Sequence, residues 1–215
     1  MTAPIKKSVP YDVQYVLEAL YRYDYITYSH CIRVGVIAQK VAERLQLTMQ
    51  QCLNARNAGF IHDYGKVFIP MEILCAPRSL SDSEMLIVKS HVITGVTKLK
   101  ELNFDSFNSE TLTAVQQHHE NVDGSGYPKG IKDISLLGRI LRVVDGFDAL
   151  THNRIYKKAF SLEDSFSILK VYNDKYDKKV VTCLEKIVQK NEFTVTDLCL
   201  DYVQLCHSNI CEYKQ

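Results

Sequence analysis

Apolar residues recur at helical spacing along most of the chain, and this periodicity limits the fold more than any other feature. Val13, Val16, Leu17 and Leu20 share one face of a helix predicted over 11–23. The same spacing predicts further helices over 30–45, 48–63, 81–102, 112–119, 135–151, 162–172, 178–190 and 196–211. Glycine and proline are few, and few stretches alternate apolar and polar residues. The sequence therefore predicts an all-α fold.

Composition and charge narrow the classes of protein. A chain of 215 residues with 46% apolar and 24% charged residues can bury the core of one domain. The net charge of +1 gives no reason to expect binding to polymeric nucleic acid or to a membrane, and no transmembrane helix or signal peptide is expected. Seven cysteines without a C-x-x-C pair suit reduced thiols. We therefore expect a cytoplasmic protein.

Five of the seven histidines and two aspartates lie on predicted apolar faces or at predicted helix ends. They are His30, His62, Asp63, His91, His118, His119 and Asp145. Each alone has an ordinary explanation: a hydrogen-bonded core histidine, an aspartate that caps backbone amides, or a solvated helix end. Burying all seven separately would require a partner for each and cost several kcal/mol wherever one was missing. A shared dinuclear metal centre would satisfy all of them.

The types of side chain indicate the metal. Imidazole and carboxylate, without a thiolate at ligand spacing, suit iron, manganese or another borderline divalent ion. The hydroxyls of Thr27 and Ser29 are predicted N-caps for the helix that begins near His30. His91 is predicted to face inward, and Gly95 one turn later to allow close approach of another helix. Two divalent ions are expected, iron with manganese as the alternative.

The order of these motifs resembles a known family. The matching residues are His30, then His62-Asp63-x-Gly65-Lys66, His91, His118-His119-Glu120-x-x-Asp123-Gly124-Ser125-Gly126-Tyr127-Pro128, and Asp145. This set resembles the HD-GYP domain, a subgroup of the HD superfamily of metal-dependent phosphohydrolases. The resemblance covers roughly 28–190, between an N-terminal lead-in and helix at 1–27 and a C-terminal helical extension at 191–215. It implies an HD-domain helical bundle with additional C-terminal helices.

The resemblance also implies an activity, phosphodiesterase action on cyclic di-GMP in bacterial signalling, and roles for single residues. By position, the family's metal ligands are His30, His62, Asp63, His91, His118, His119 and Asp145. Asp63 matches the bridging carboxylate and Lys66 a lysine near the scissile phosphate, so both are expected to be catalytic. Expected contacts with the substrate are Lys66, Tyr127, Asp148, Arg154 and Lys157. Trinuclear members carry a glutamate where this chain has Ile26, so two metals are expected.

The expected mechanism is hydrolysis by a hydroxide that bridges the two metals and attacks phosphorus in line. Lys66 would neutralise a phosphoryl oxygen, and the cyclic substrate would open to linear pGpG and then to GMP. The alternative for Lys66 is a cation that interacts with the carboxyl end of a helix. For Tyr127-Pro128 the alternative is a plain turn.

Other functions fit the same motifs. One is a receptor that binds a cyclic dinucleotide, or a protein-interaction module, without turnover. Another is an HD hydrolase with a different substrate, such as cyclic GMP-AMP or a nucleotide. Leu198, Val203 and Leu205 are candidates for a homodimer interface, and core packing explains them equally well. Because family members usually carry a sensor or receiver domain, the chain is either controlled by a separate regulatory protein or a piece of a longer one. His152 and His207 are interpreted as surface or tail residues.

Overall fold

The computed structural model describes residues 9–152, 158–172 and 174–190, and every regular element in these ranges is a helix. The prediction of an all-α fold is confirmed. The α-helices are α1 (Tyr11–Tyr23), α2 (Tyr25–Arg44), α3 (Met49–Ile61), α4 (Met71–Leu74), α5 (Asp82–Lys89), α6 (His91–Leu102), α7 (Ser109–Gln117), α8 (Leu136–Thr151), α9 (Leu162–Val171) and α10 (Lys178–Gln189). A 3₁₀ helix, Tyr64–Phe68, lies between α3 and α4.

The longest helix, α2, packs against α3 and α8 in the centre of the bundle. Helices α2 and α3 approach closely because each has a glycine at the contact. A Cβ atom added at Gly59 would lie 2.5 Å from the Cα atom of Gly35, closer than two carbon atoms can pack. Helix α1 joins the same hydrophobic core through Val16 and Leu17. The domain boundary expected between residues 27 and 28 stays a prediction, since α1 and α2 share this core.

The start of α2 differs from the prediction. The N-cap is Asp24, whose carboxylate accepts hydrogen bonds from the backbone amides of Ile26 and Thr27. Thr27 is therefore inside the first turn, and its hydroxyl donates to Asp24 at 2.5 Å. The prediction of an N-cap at Thr27 or Ser29 is wrong because an aspartate three residues earlier satisfies the same orphan amides.

The single helix predicted over 81–102 is two helices, α5 and α6, that meet at Ser90. The Ser90 hydroxyl donates to the Ile87 carbonyl at 2.6 Å, and the His91 ring uses the Val88 carbonyl. Both carbonyls therefore accept from side chains at the end of α5, where the backbone amide of Ser90 also donates to the Ile87 carbonyl at 3.1 Å. Helix α5 has no buried residue: Ile87 is exposed and Val88 is half-buried.

The predicted close approach at Gly95 is present, and its partner is the 3₁₀ helix. A Cβ atom at Gly95 would lie 2.9 Å from the backbone nitrogen of Gly65, and one at Gly65 would lie 1.8 Å from the His91 carbonyl oxygen. This contact sets the 3₁₀ helix, and with it Lys66, against the start of α6.

The predicted tail helices over 162–172 and 178–190 correspond to α9 and α10. The third, over 196–211, and its apolar residues Leu198, Val203 and Leu205 lie outside the described residues. Cys31, Cys52, Cys75 and Cys183 are not part of a disulfide. Across 9–152, 158–172 and 174–190, no helix combines the length and the apolarity needed to cross a bilayer.

Candidate metal centre

The seven predicted ligands converge from five helices. Three of these helices deliver their histidines at an end: His62 is the C-cap of α3, His91 the first residue of α6 and His118 the C-cap of α7. His30 and Asp145 come instead from within α2 and α8. The side chains of all seven residues are buried except that of His119, which is 21% exposed. Sequence reasoning therefore selected residues that the fold brings together.

Three of the histidine rings hold the same tautomer. In each, Nδ1 contacts the backbone carbonyl oxygen three residues earlier. The contacts are His62 to Gly59 at 2.8 Å, His91 to Val88 at 2.6 Å and His118 to Val115 at 2.6 Å. A carbonyl oxygen only accepts, so Nδ1 must carry the hydrogen and donate. The other nitrogen, Nε2, therefore presents a lone pair to the centre.

Two of these lone pairs face each other. The Nε2 atoms of His91 and His118 are 3.3 Å apart and buried, and neither carries a hydrogen in this tautomer. Burial and the neighbouring imidazoles hold the pKa of His118 well below its ordinary value, so a shared proton is not the explanation. Nearby, His62 Nε2 and Asp63 Oδ1 are buried without a hydrogen-bond partner in the described part of the chain. A cation would satisfy these atoms together.

Asp63 lies between two groups of histidines. Its Oδ1 is 3.3 Å from His91 Nε2, and its Oδ2 is 3.5 Å from His62 Nε2 and 3.7 Å from His30 Nε2. Burial would raise the pKa of Asp63, but the ammonium of Lys66, 2.5 Å away, and the imidazoles outweigh it and hold the pKa well below the usual range. The carboxylate is therefore ionised and directs one oxygen to each group.

Two sets of donor atoms are compact enough to hold an ion each. The candidate groups are Asp63, His91, His118 and His119, and His30, His62 and Asp63, and within each group the donor atoms lie within 4.8 Å of one another. Asp145 lies between the two groups, with Oδ1 3.1 Å from His30 Nε2 and Oδ2 3.8 Å from His119 Nδ1. The donor chemistry and the unpartnered atoms fit divalent metal.

The Gly-Tyr-Pro loop is built against this centre. The Tyr127 ring stacks on His119, with ring centroids 4.6 Å apart and planes at 28°, and the Lys89 ammonium lies 5.4 Å from the Tyr127 centroid. The Tyr127-Pro128 peptide bond is cis. A Cβ atom at Gly126 would lie 2.3 Å from the Asn121 amide nitrogen, so only glycine fits there. A plain turn would not account for the stacking of Tyr127 on His119.

Glu120 holds this loop through hydrogen bonds with its backbone, a role that sequence reasoning missed. The side chain is buried, and its two oxygens accept hydrogen bonds from the amides of Lys129 at 2.7 Å and Ile131 at 3.2 Å. A carboxylate beside two candidate ligand histidines would be expected to ligate. Its position directly after His119 directs it the other way, into the loop.

Asp148 does not lie where a substrate contact would. It is buried, and its Oδ2 accepts from His30 Nδ1 at 2.7 Å while Arg33 donates to both of its oxygens. His152, interpreted from the sequence as a surface residue, is half-buried and 3.1 Å from Asp148 Oδ1. The expected contact with the substrate is therefore corrected, because His30, Arg33 and His152 occupy the carboxylate. Arg33 itself was missed, although it lies one turn after His30 on α2.

The remaining residues expected to contact the substrate, apart from Tyr127, are Lys66, Arg154 and Lys157. Lys66 lies beside the centre with its side chain 20% exposed. Arg154, Lys157 and His207 lie outside the described residues. Ile26, in the first turn of α2, is exposed and brings no carboxylate to the centre.

Comparisons with known proteins agree with this geometry. A family model described as HD domain matches residues 17–180. The cyclic di-GMP phosphodiesterase PA4108 of Pseudomonas aeruginosa is 33% identical over 167 residues, which are 77% of this chain and 40% of that protein. The 3'3'-cGAMP-specific phosphodiesterase 1 of Vibrio cholerae is 34% identical over 146 residues, 67% of this chain and 33% of that protein. The chain thus spans less than half the length of either relative.

A solved structure shares the fold. The crystal structure of the HD domain of the phosphodiesterase PgpH from L. monocytogenes superimposes with a TM-score of 0.59, at 15% identity, covering 87% of this chain and 98% of that one. At this identity the likeness concerns the fold alone. Together with the match over 17–180 and the His-Asp and Gly-Tyr-Pro motifs, it shows that the chain belongs to the HD domain family and is of the HD-GYP type.

Proposed function

We propose that the protein is a metal-dependent phosphodiesterase that hydrolyses cyclic di-GMP to linear pGpG, and further to GMP, at a dinuclear His/Asp centre. The observation that carries this proposal is the 3.3 Å approach of the Nε2 lone pairs of His91 and His118 beside Asp63. A relative that is 33% identical bears the name cyclic di-GMP phosphodiesterase, which supports the choice of substrate.

The chain's own residues divide into two metal positions that share Asp63. One would be held by His30 and His62, the other by His91, His118 and His119, with Asp145 between them. Imidazole and carboxylate donors without thiolate support iron, with manganese as the alternative. Two such ions would supply a water of lowered pKa and would neutralise charge on the phosphoryl oxygens.

Lys66 is proposed to bind the scissile phosphate. Burial would lower the pKa of Lys66, but Asp63 outweighs it and raises the pKa, so the amine stays charged. Its side chain remains partly exposed, which allows its ammonium to reach a phosphoryl oxygen as a compact charge. The alternative role as a helix-end cation does not account for the 2.5 Å contact with Asp63.

The substrate would lie over the Gly-Tyr-Pro loop. The half-buried Tyr127 ring, held by His119, offers a surface for the dinucleotide at the edge of the centre. Arg154 and Lys157, which follow α8 in the sequence, are proposed to contact its phosphates or bases, as the family resemblance implies. Asp148 is not included.

A second substrate is supported by a separate finding. The 34% identical relative from Vibrio cholerae is named for 3'3'-cGAMP, a cyclic dinucleotide of the same size with one adenine. The centre itself acts on the phosphodiester, which both dinucleotides share. We therefore propose cyclic GMP-AMP as the second candidate.

The location, the oligomeric state and the regulation of the protein are proposed as well. We propose a cytoplasmic location, which suits the described cysteines because none of them is part of a disulfide. A homodimer through Leu198, Val203 and Leu205, and control by a separate regulatory protein or by further domains, are proposals that rest on the sequence.

The test is turnover of both dinucleotides followed by chromatography, with Asp63→Ala and a matched exposed aspartate, Asp174→Ala. The intact protein and Asp174→Ala should form linear dinucleotide, whereas Asp63→Ala should lose at least about 100-fold in rate, the scale of losing a metal bridge. The preferred substrate of the intact protein decides between the two candidates. Metal-loaded protein that hydrolyses neither one would contradict the proposal and favour a receptor.

A further inference from the structure

His30 has a carboxylate behind its ring, where three other histidines of the centre have a backbone carbonyl. His62, His91 and His118 use carbonyls in the last turns of α3, α5 and α7, which helix ends leave without intrahelical partners. His30 is the sixth residue of α2, where every neighbouring carbonyl already accepts from the backbone. The ring therefore needs a partner from another element, and that partner is Asp148.

The contact with Asp148 fixes the tautomer of His30 when Nε2 is a ligand. The distance from His30 Nδ1 to Asp148 Oδ2 is 2.7 Å, and the carboxylate is 1% exposed. An ionised carboxylate only accepts, so Nδ1 donates and Nε2 points to the centre, 3.1 Å from Asp145. A carboxylate behind a ligating imidazole also makes the ring a stronger donor than a carbonyl does.

Arg33 fixes the carboxylate in turn. Its Nε lies 2.7 Å from Asp148 Oδ1 and its Nη2 2.8 Å from Oδ2, which is the two-point geometry of a guanidinium on a carboxylate. Arg33 lies one turn after His30, so α2 presents the ring and the guanidinium to the same side chain of α8. This pairing holds the plane of the carboxylate, which a lysine could contact at only one point.

We propose that Arg33 and Asp148 are positioning residues that set the metal affinity of the His30–His62 position separately from the His91–His118–His119 position. The inference rests on the proposed dinuclear centre and deepens it. Because backbone carbonyls orient His91 and His118 at the second position, a change at Arg33 or Asp148 weakens the first position and leaves the second. The two positions are thus chemically unequal.

The experiment titrates chelator-stripped protein with Mn²⁺ and follows the two binding steps by calorimetry. Arg33→Lys keeps both charges and removes the two-point contact, and Asp148→Asn removes the carboxylate. The matched control is Arg78→Lys, which breaks an exposed two-point pair with Glu84 at 2.7 and 2.6 Å. Circular dichroism verifies that each variant is folded. If Asp148→Asn does not fold, the result for Arg33→Lys alone tests the proposal.

The expected result is a roughly 10- to 100-fold loss of affinity in one step for Arg33→Lys, with the other step unchanged and Arg78→Lys like the intact protein. Equal weakening of both steps would show a general structural effect and overturn the proposal, as would no change in either. Intact protein that binds fewer than two ions would also overturn it. Two steps that behave as expected in a protein without phosphodiesterase activity would support it while contradicting the proposed function.

Discussion

At the scale of single residues, the direction of each ring nitrogen determines what the centre can bind. His91 and His118 direct Nε2 inward because their Nδ1 atoms are held by the carbonyls of Val88 and Val115. Asp63 directs its two oxygens to different histidines, since the chain leaves helical geometry at this residue. Two adjacent residues within a helix point in different directions and could not contact one small ligand. His62 and Asp63 can do so because the chain turns at the end of α3.

Lys66 is the residue whose charge the proposed chemistry uses directly. In Lys66→Met, we expect turnover to fall roughly 100-fold, the scale of removing one electrostatic stabiliser, while metal content stays the same. The control is Lys100→Met on the exposed surface of α6. Steady-state rates and elemental analysis measure both quantities. Unchanged turnover would leave Lys66 as a helix-end cation.

Glu120 is expected to hold the Gly-Tyr-Pro loop through its two backbone contacts. In Glu120→Gln one amide of the loop would meet an NH₂ group instead of an acceptor, which costs about 1–3 kcal/mol for a buried polar group. Hydrogen exchange at Lys129 and Ile131 should become faster, and turnover should fall because Tyr127 moves. Glu101→Gln, exposed on α6, should change neither. Unaltered protection at both amides would refute this role.

At the scale of elements, the contact between the 3₁₀ helix and α6 sets Lys66 and His91 in place. Gly65→Ala would place a methyl group 1.8 Å from the His91 carbonyl oxygen, so the backbone must move. We expect a loss of stability on the order of 3 kcal/mol, together with weaker metal binding. Thermal unfolding in the presence of a chelator measures the loss of stability without a contribution from metal binding. Thr97→Ala, exposed on α6, is the control, and an equal melting temperature for Gly65→Ala would contradict the close contact.

Most helices, and the convergence of the seven candidate ligands, could be predicted from the sequence, and the contacts between distant elements could not. Helical periodicity is local, so the bounds of α3, α9 and α10 follow closely from the residues. The break at Ser90 does not interrupt the apolar periodicity, so the sequence predicted a single helix there. Asp148 meets His30 across 118 positions, so its true partner required the fold.

At the scale of the whole molecule, the candidate metal centre lies where five helices of the bundle meet. Because α2, α3, α6, α7 and α8 each contribute a candidate ligand, a bound ion would stabilise the native bundle and not the unfolded chain. Excess Mn²⁺ at 100 times its dissociation constant should add about 2.7 kcal/mol. The melting temperature should therefore rise with metal and fall with chelator. Asp63→Ala should respond much less, and an equal rise in that variant would show that the ions bind elsewhere.

The central claim is that two metals bound by these seven residues hydrolyse a cyclic dinucleotide. The most direct measurement counts the metal in anaerobically purified protein and follows cyclic di-GMP turnover in the same sample, beside Asp63→Ala. We predict about two iron or manganese ions per chain, with linear dinucleotide formed by the intact protein alone. Equal turnover by Asp63→Ala, or turnover by protein with less than one ion per chain, would contradict the account.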